Sequence, residues 1–255
     1  MNIKLVDTHC HLNHKDFNDD REDIFKEIEE NMEFVVNIGY DLSSSRKSVE
    51  YAEKYKNVYA TVGLHPTDIG DEWNPIVENA LLEMGKNEKV VAIGEIGLDY
   101  HWMTKNESIQ KQWFREQMEI ARKLNKPVVI HTREATEDTV KILKEFPDLH
   151  GIVHCYPGSY EIAMEVIGNY YFGIGGVLTF KNSKKMVEVV KKLPLERLVI
   201  ETDAPYLTPE PFRGKRNLPE YVKYVVEKIA EIKGVSVEEV AKITNQNAKE
   251  VYKIS

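Results

Sequence analysis

The chain has 255 residues, 42% of them hydrophobic and 30% charged, and a formal net charge of −8. This is globular composition, long enough for a sizeable core, and no apolar run approaches the ~20 residues of a membrane span. The acidic balance argues against broad clamping of duplex nucleic acid, which calls for a basic face, while leaving room for a site where divalent cations meet phosphates locally.

The first strand, residues 4–6, runs into Asp7-Thr8-His9-Cys10-His11. Positions i and i+2 of extended backbone project from one face, so His9 and His11 can converge on one point, and neutral imidazole is a common metal ligand. A helical pattern over 21–30 leads to a strand at 34–38, and a second helix over 44–55 to a strand at 58–62, with His65-Pro66 just beyond. A helix over 75–84 precedes a strand at 90–93, followed by Gly94-Glu95-Ile96-Gly97-Leu98-Asp99. After a helix over 108–124, the strand at 128–130 ends on His131, with Arg133 two residues on. A helix over 136–145 leads to a strand at 152–153 that ends on His154. A helix over 160–167, a strand at 171–174 and a helix over 184–192 lead to the last strand, 198–200, and Glu201-Thr202-Asp203. A helical region runs from 219 onward, with Ser236 and Glu239 spaced as a capping box.

The strands are β-branched and nearly uninterrupted, as strands buried on both faces should be. Eight such runs alternating with helices give the pattern of a (β/α)8 TIM barrel, one domain over residues 1–255; a doubly wound open sheet is the alternative, because strand number alone does not show closure. In a barrel the C-terminal strand ends form one rim, which gathers His9, His11, His65, Glu95, His131, His154 and Asp203. One histidine at a strand end is ordinarily a satisfied structural residue, and one carboxylate a helix cap. So many on one rim point to metal.

Cys10 and Cys155 form no disulfide framework, so a reducing cytoplasm is expected; alternation turns each thiol away from the neighbouring histidine, into the barrel wall. No basic-then-apolar leader precedes Asp7. His14 and His101 fall in loops and read as ordinary, and His150 belongs to the opposite end of the barrel.

At these residues the chain resembles the TatD family of metal-dependent deoxyribonucleases, within the amidohydrolase-like barrel superfamily. The resemblance spans essentially the whole length. It is carried by Asp7-Thr-His-Cys-His11, Gly63-Leu-His65-Pro66, Gly94-Glu95-Ile-Gly97-Leu-Asp99-Tyr100, His131-Thr-Arg133, His154-Cys155, Glu201-Thr-Asp203-Ala-Pro-Tyr-Leu-Thr-Pro209 and Arg213-Gly-Lys-Arg216-Asn217. Tyr156-Pro157-Gly158 departs from the Phe-Ser-Gly usual in the family.

The resemblance implies two divalent ions, Zn, Mn or Mg, with His9, His11 and Asp203 on one, His131 and His154 on the other, and Glu95 between them. A carboxylate and a water bridging two ions ~3.5–4 Å apart form a two-metal arrangement that activates the water and neutralises phosphoryl oxygens. Asp203 and Glu95 are the catalytic candidates, Asp203 taking the water's proton and passing it to the leaving group. His65 is assigned to a phosphate as a donor. Arg133 either reaches the same face or pairs with a carboxylate near Glu134 or with Asp99. Arg213, Lys215 and Arg216 bind phosphate, lock the rim or form a solvated loop, and Tyr206 and Tyr156 stack a base or pack. Glu201 is expected to orient a ligand histidine.

The implied activity is cleavage of DNA phosphodiesters, 3′ to 5′, on single strands or ends, by a monomer needing no protein partner or membrane. The same site could instead attack a carbonyl, as an amidase, lactonase or aminoacyl-ester deacylase. A metal-stabilised scaffold is the non-enzymatic alternative.

Overall fold

The computed structural model describes residues 3–255. In chain order its elements are β1 (Leu5–Cys10), α1 (Arg21–Asn31), β2 (Met32–Asn37), α2 (Leu42–Lys54), β3 (Val58–Val62), α3 (Pro75–Gly85), β4 (Val90–Asp99), α4 (Glu107–Leu124), β5 (Val128–Arg133), α5 (Thr136–Glu145), β6 (Gly151–Val153), α6 (Tyr160–Met164), β7 (Tyr170–Ile174), α7 (Lys184–Lys192), β8 (Leu198–Ile200), α8 (Val222–Lys233) and α9 (Val237–Tyr252). Local chemistry accounts for several starts. Asp41 and Ser44 close a capping box on α2, and Asn74 caps α3 with Pro75 in its first turn.

The eight strands pair in sequence order, β1 to β8, every pair parallel. This is the expected (β/α)8 barrel. A doubly wound sheet is ruled out, since it would reverse strand order at a switch point. The seam between β8 and β1 is short: Cys10 and Ala204 form an isolated parallel bridge, and the His11 amide donates to the Ala204 carbonyl at 2.7 Å. Side chains complete it. Asp7 Oδ1 accepts from the Thr202 amide at 2.9 Å, its Oδ2 accepts from the Thr202 hydroxyl at 2.5 Å, and the Thr8 hydroxyl donates to the Ile200 carbonyl at 3.0 Å.

Two apolar groups fill the molecule. One lies between wall and helices and includes Phe25, Leu81, Trp113 and Phe114. The other joins strand residues Val6, Phe34, Val36, Val129, Ile152 and Val199 to Ala248, Val251 and Tyr252 of α9. The helical region after residue 219 is therefore two helices, broken at Gly234 (φ 67°), and the second plugs the end where strands begin. Ser236 accepts from the Glu239 amide at 3.1 Å to start it.

Asn245 of α9 holds that plug to β1: its Oδ1 accepts from the Val6 amide at 3.1 Å and its Nδ2 donates to the Lys4 carbonyl at 2.7 Å. Asn245→Ala leaves a buried amide unpaired, at a cost of about 1–3 kcal/mol. The thermal midpoint should fall by roughly 3–10 °C, measured by calorimetry, with the strand-end chemistry at the far rim little changed. No helix among the described residues is long and apolar enough to cross a membrane.

Candidate active site

β4 and β5 run further than their apolar cores suggest, so Glu95 and His131 stand within strands rather than after them. Their approach depends on Gly97 (φ 143°), paired with His131 across the ladder. A Cβ there would lie 2.0 Å from the His131 carbonyl oxygen. Gly173 of β7 performs a related task, because a Cβ there would occupy the place of Glu201 Oε2, 2.2 Å away.

The rim residues converge. His9 Nε2 and His11 Nε2 face each other at 3.2 Å. Asp203 Oδ1 is 3.6 Å from the first and 3.2 Å from the second. Glu95 is shared: its Oε2 lies 3.5 Å from His9 Nε2 and 3.9 Å from His11 Nε2, while its Oε1 lies 2.9 Å from His131 Nδ1 and 3.1 Å from His154 Nε2. Each carboxylate oxygen thus serves one histidine pair.

The rear of the site holds these rings in place. His131 Nε2 is 2.9 Å from Asp99 Oδ2, and His154 Nδ1 is 3.3 Å from Glu201 Oε1, which also accepts from the Cys155 amide at 2.6 Å. His9 stacks on His154 with ring centroids 3.8 Å apart.

Burial would raise the pKa of Glu95, but the surrounding His154, His9 and His131 hold its carboxyl well below the usual range. Burial opposes charge on His154 and His131 too, yet their carboxylate neighbours raise both. At His9, burial prevails and lowers the pKa, and burial with His131 close by takes His65 down to about 3. Asp99, stabilised against its own burial by His131 and the Trp102 amide, falls to about 2.

The donor set fits a divalent cation. Imidazole nitrogens and carboxylate oxygens of His9, His11 and Glu95 lie within 4.8 Å of one another, as do those of His65, Glu95 and His131 and those of His9, His154 and Glu201. The Nδ1 atoms of His9 and His11 are buried with no hydrogen-bond partner, and their Nε2 atoms abut with carboxylates around them. Two imidazole lone pairs held together in this way call for a positive charge between them, and mixed imidazole and carboxylate ligands suit Zn²⁺ or Mn²⁺.

The cluster opens into a cavity of about 920 Å3 lined by His11, His65, Glu95, Asp99, His131, Arg133, His154, Cys155 and Asp203, among others. His65 Nε2 stands 3.9 Å from Glu95 Oε1, while its Nδ1 is 2.6 Å from the Thr67 hydroxyl. Arg133 lies at the mouth over the Trp102 ring rather than against Asp99.

Other expected members sit elsewhere. Arg216 is committed to Asp20 and the Asp16 carbonyl, and Arg213 lies 3.8 Å over the Phe180 ring, both outside the cavity lining. Tyr156 is 2% exposed, packs on Phe172 and donates to the Ser159 carbonyl, so it offers no face to a base; Tyr206 does line the cavity. Cys155 leaves the extended alternation (φ 42°) and faces the cavity instead of the wall, while Cys10 is buried as expected. His14 also lines the cavity, and His101 pairs with Glu134.

Asp99 was read from sequence only as a possible partner of Arg133, and its role behind His131 was missed, although its place two residues from Gly97 on the strand carrying Glu95 marked it. A carboxylate behind a ligand histidine fixes tautomer and ring orientation. Asp99→Asn should weaken divalent-ion binding about 10- to 100-fold, read by calorimetric titration of Zn²⁺ or Mn²⁺.

The residue pattern of TatD-related DNases matches residues 6–253. The Bacillus subtilis protein YabD, described as an uncharacterized metal-dependent hydrolase, is 48% identical over 258 residues, covering 98% of this chain and 100% of its own. Escherichia coli YcfH, described in the same words, is 35% identical over 257 residues, covering 98% of this chain and 96% of its own. Among solved structures, the TatD homologue YJJV of Escherichia coli shares the fold at a TM-score of 0.88 and 28% identity over 100% of both chains. The Escherichia coli phosphotriesterase homology protein, complexed with phosphate in its active site, shares the fold at a TM-score of 0.72 and 13% identity, over 98% of this chain and 99% of that one. The chain belongs to the TatD-related DNase family and is one of its metal-dependent hydrolases.

Proposed function

We propose that this hydrolase cleaves phosphodiester bonds of DNA, on a single strand or from an end, with two divalent ions held at the rim. The observation that carries this reading is the division of Glu95, one oxygen toward His9 and His11 and the other toward His131 and His154. His9, His11 and Asp203 would hold one ion, His131 and His154 the other, and Glu95 both. When bound, the ions would supply Lewis acidity for activating water and neutralising phosphoryl oxygens.

The remaining work belongs to side chains. Asp203 turns Oδ1 toward His11, which leaves its second oxygen to take the proton of the attacking water. As the new P–O bond forms and the old one breaks, that proton passes to the leaving oxygen. From the cavity side His65 binds the scissile phosphate and Arg133, at the mouth, the neighbouring one. A cavity of about 920 Å3 accepts a strand terminus more readily than a long duplex. The unpaired thiols suit action in a reducing cytoplasm.

The test is digestion of end-labelled single-stranded, duplex and end-blocked DNA, and of RNA, by metal-stripped protein supplied with Mn²⁺, Mg²⁺ or Zn²⁺. Laddering from the 3′ end that end-blocking prevents supports the proposal. Hydrolysis of esters or lactones with no oligonucleotide cut under any ion would replace it with acyl chemistry.

A further inference from the structure

The cavity mouth leaves two large aromatic side chains open, Trp102 at 59% and Tyr206 at 48% exposure. Tyr206 leans on His11 and His14, with ring centroids 6.1 and 5.5 Å away. Trp102 is held differently. Asp99 Oδ1 accepts the backbone amides of His101 at 2.9 Å and Trp102 at 2.7 Å, while its Oδ2 faces His131 Nε2 at 2.9 Å. One buried carboxylate therefore fixes the backbone that carries the indole relative to a candidate metal ligand. The Arg133 guanidinium lies 5.5 Å from the Trp102 ring centroid and has no carboxylate partner among the described residues. A largely exposed indole, a cation over its ring that no carboxylate claims, and the phosphate-cleaving centre behind match the parts of one nucleotide: base, phosphate, scissile bond.

We propose that Trp102 is a specificity-determining residue, its ring being the platform on which the base beside the scissile phosphate stacks while Arg133 meets the neighbouring phosphate. The proposal rests on the phosphodiesterase reading above and deepens it. Stacking on an aromatic ring is tolerant of sequence, because every base has a π-face, but needs a base whose face is free. Trp102 thus selects unpaired nucleotides without selecting which base.

The experiment compares a thymidine oligomer with an abasic oligomer of equal length and charge, using wild-type holoenzyme, Trp102→Ala and Trp102→Phe. Expected is a fall of about 10- to 100-fold in the ratio of kcat/KM on the thymidine oligomer to that on the abasic one for Trp102→Ala, carried mainly by KM. Trp102→Phe should recover most of that ratio, since it restores a stacking face. A ratio unchanged in Trp102→Ala, or restored no better by Phe than by Ala, overturns the platform. Wild-type enzyme that cuts neither oligomer overturns the phosphodiesterase reading and the platform with it.

Discussion

Glu95→Gln should reduce hydrolysis by about 1,000-fold or more, with the fold intact. The amide keeps the shape of the carboxylate but gives up its charge and one of its two acceptor oxygens. Both oxygens are in use, Oε2 beside His9 and His11 and Oε1 beside His131 and His154. The substitution therefore disturbs both histidine pairs at once, whereas His9→Ala or His154→Ala removes a member of one. Activity requires several kcal/mol of charge stabilisation from ions that would then be lost or misplaced, and each 1.36 kcal/mol is a factor of ten in rate. Initial rates on a labelled oligonucleotide, bound metal by mass spectrometry and circular dichroism together check this. Retained activity with retained metal would show that Glu95 does not bridge. Chelation of the wild type should imitate the loss, and added Mn²⁺ should reverse it.

The second large effect is on the barrel itself. Gly97→Ala places a methyl 2.0 Å from the His131 carbonyl oxygen, in backbone at φ 143° that side chains rarely adopt. Strain at such a conformation costs about 1–3 kcal/mol, and overpacking about the same again. The thermal midpoint should fall by roughly 5–15 °C. Relief requires β4 and β5 to separate, which moves His131 away from Glu95 Oε1. Melting curves and metal titrations should therefore decline together. A variant that melts like the wild type would show that the ladder yields at no cost.

Regular patterning made the barrel legible. Eight β-branched runs at helix-separated intervals fix strand order once chains of this type close, and the residues just beyond them fall on one rim. His9 and His11 were readable because a strand period of two puts them on one face, and their Nε2 atoms do meet at 3.2 Å. What escaped was cross-strand and long-range pairing. Asp99 reaches His131 only through the β4–β5 register, which pairs Gly97 with His131. For Arg216 local charge density left phosphate binding, a lock on the rim and a solvated loop open, and its pairing with Asp20, at the start of α1 far away in the chain, is of the locking kind. Tyr156 could stack or pack on sequence alone, and the fold packs it against Phe172. Side-chain type sets what a residue can do, while the fold decides which partner reaches it first.

The short seam between β8 and β1 gives the rim a mechanical meaning. His9 and His11 belong to the first strand and the turn after it, whereas Asp203 follows the last strand. An ion held by all three would fasten together parts of the chain more than 190 residues apart in a sequence of 255, as a cross-link does. The ladder there is sparse: an isolated bridge, backbone hydrogen bonds from His11 to Ala204 and from Asp203 to His9, and a few side-chain bonds. Loading the site and keeping the barrel closed are then one linked equilibrium: whatever lowers ion affinity also loosens the seam, and whatever loosens the seam lowers ion affinity.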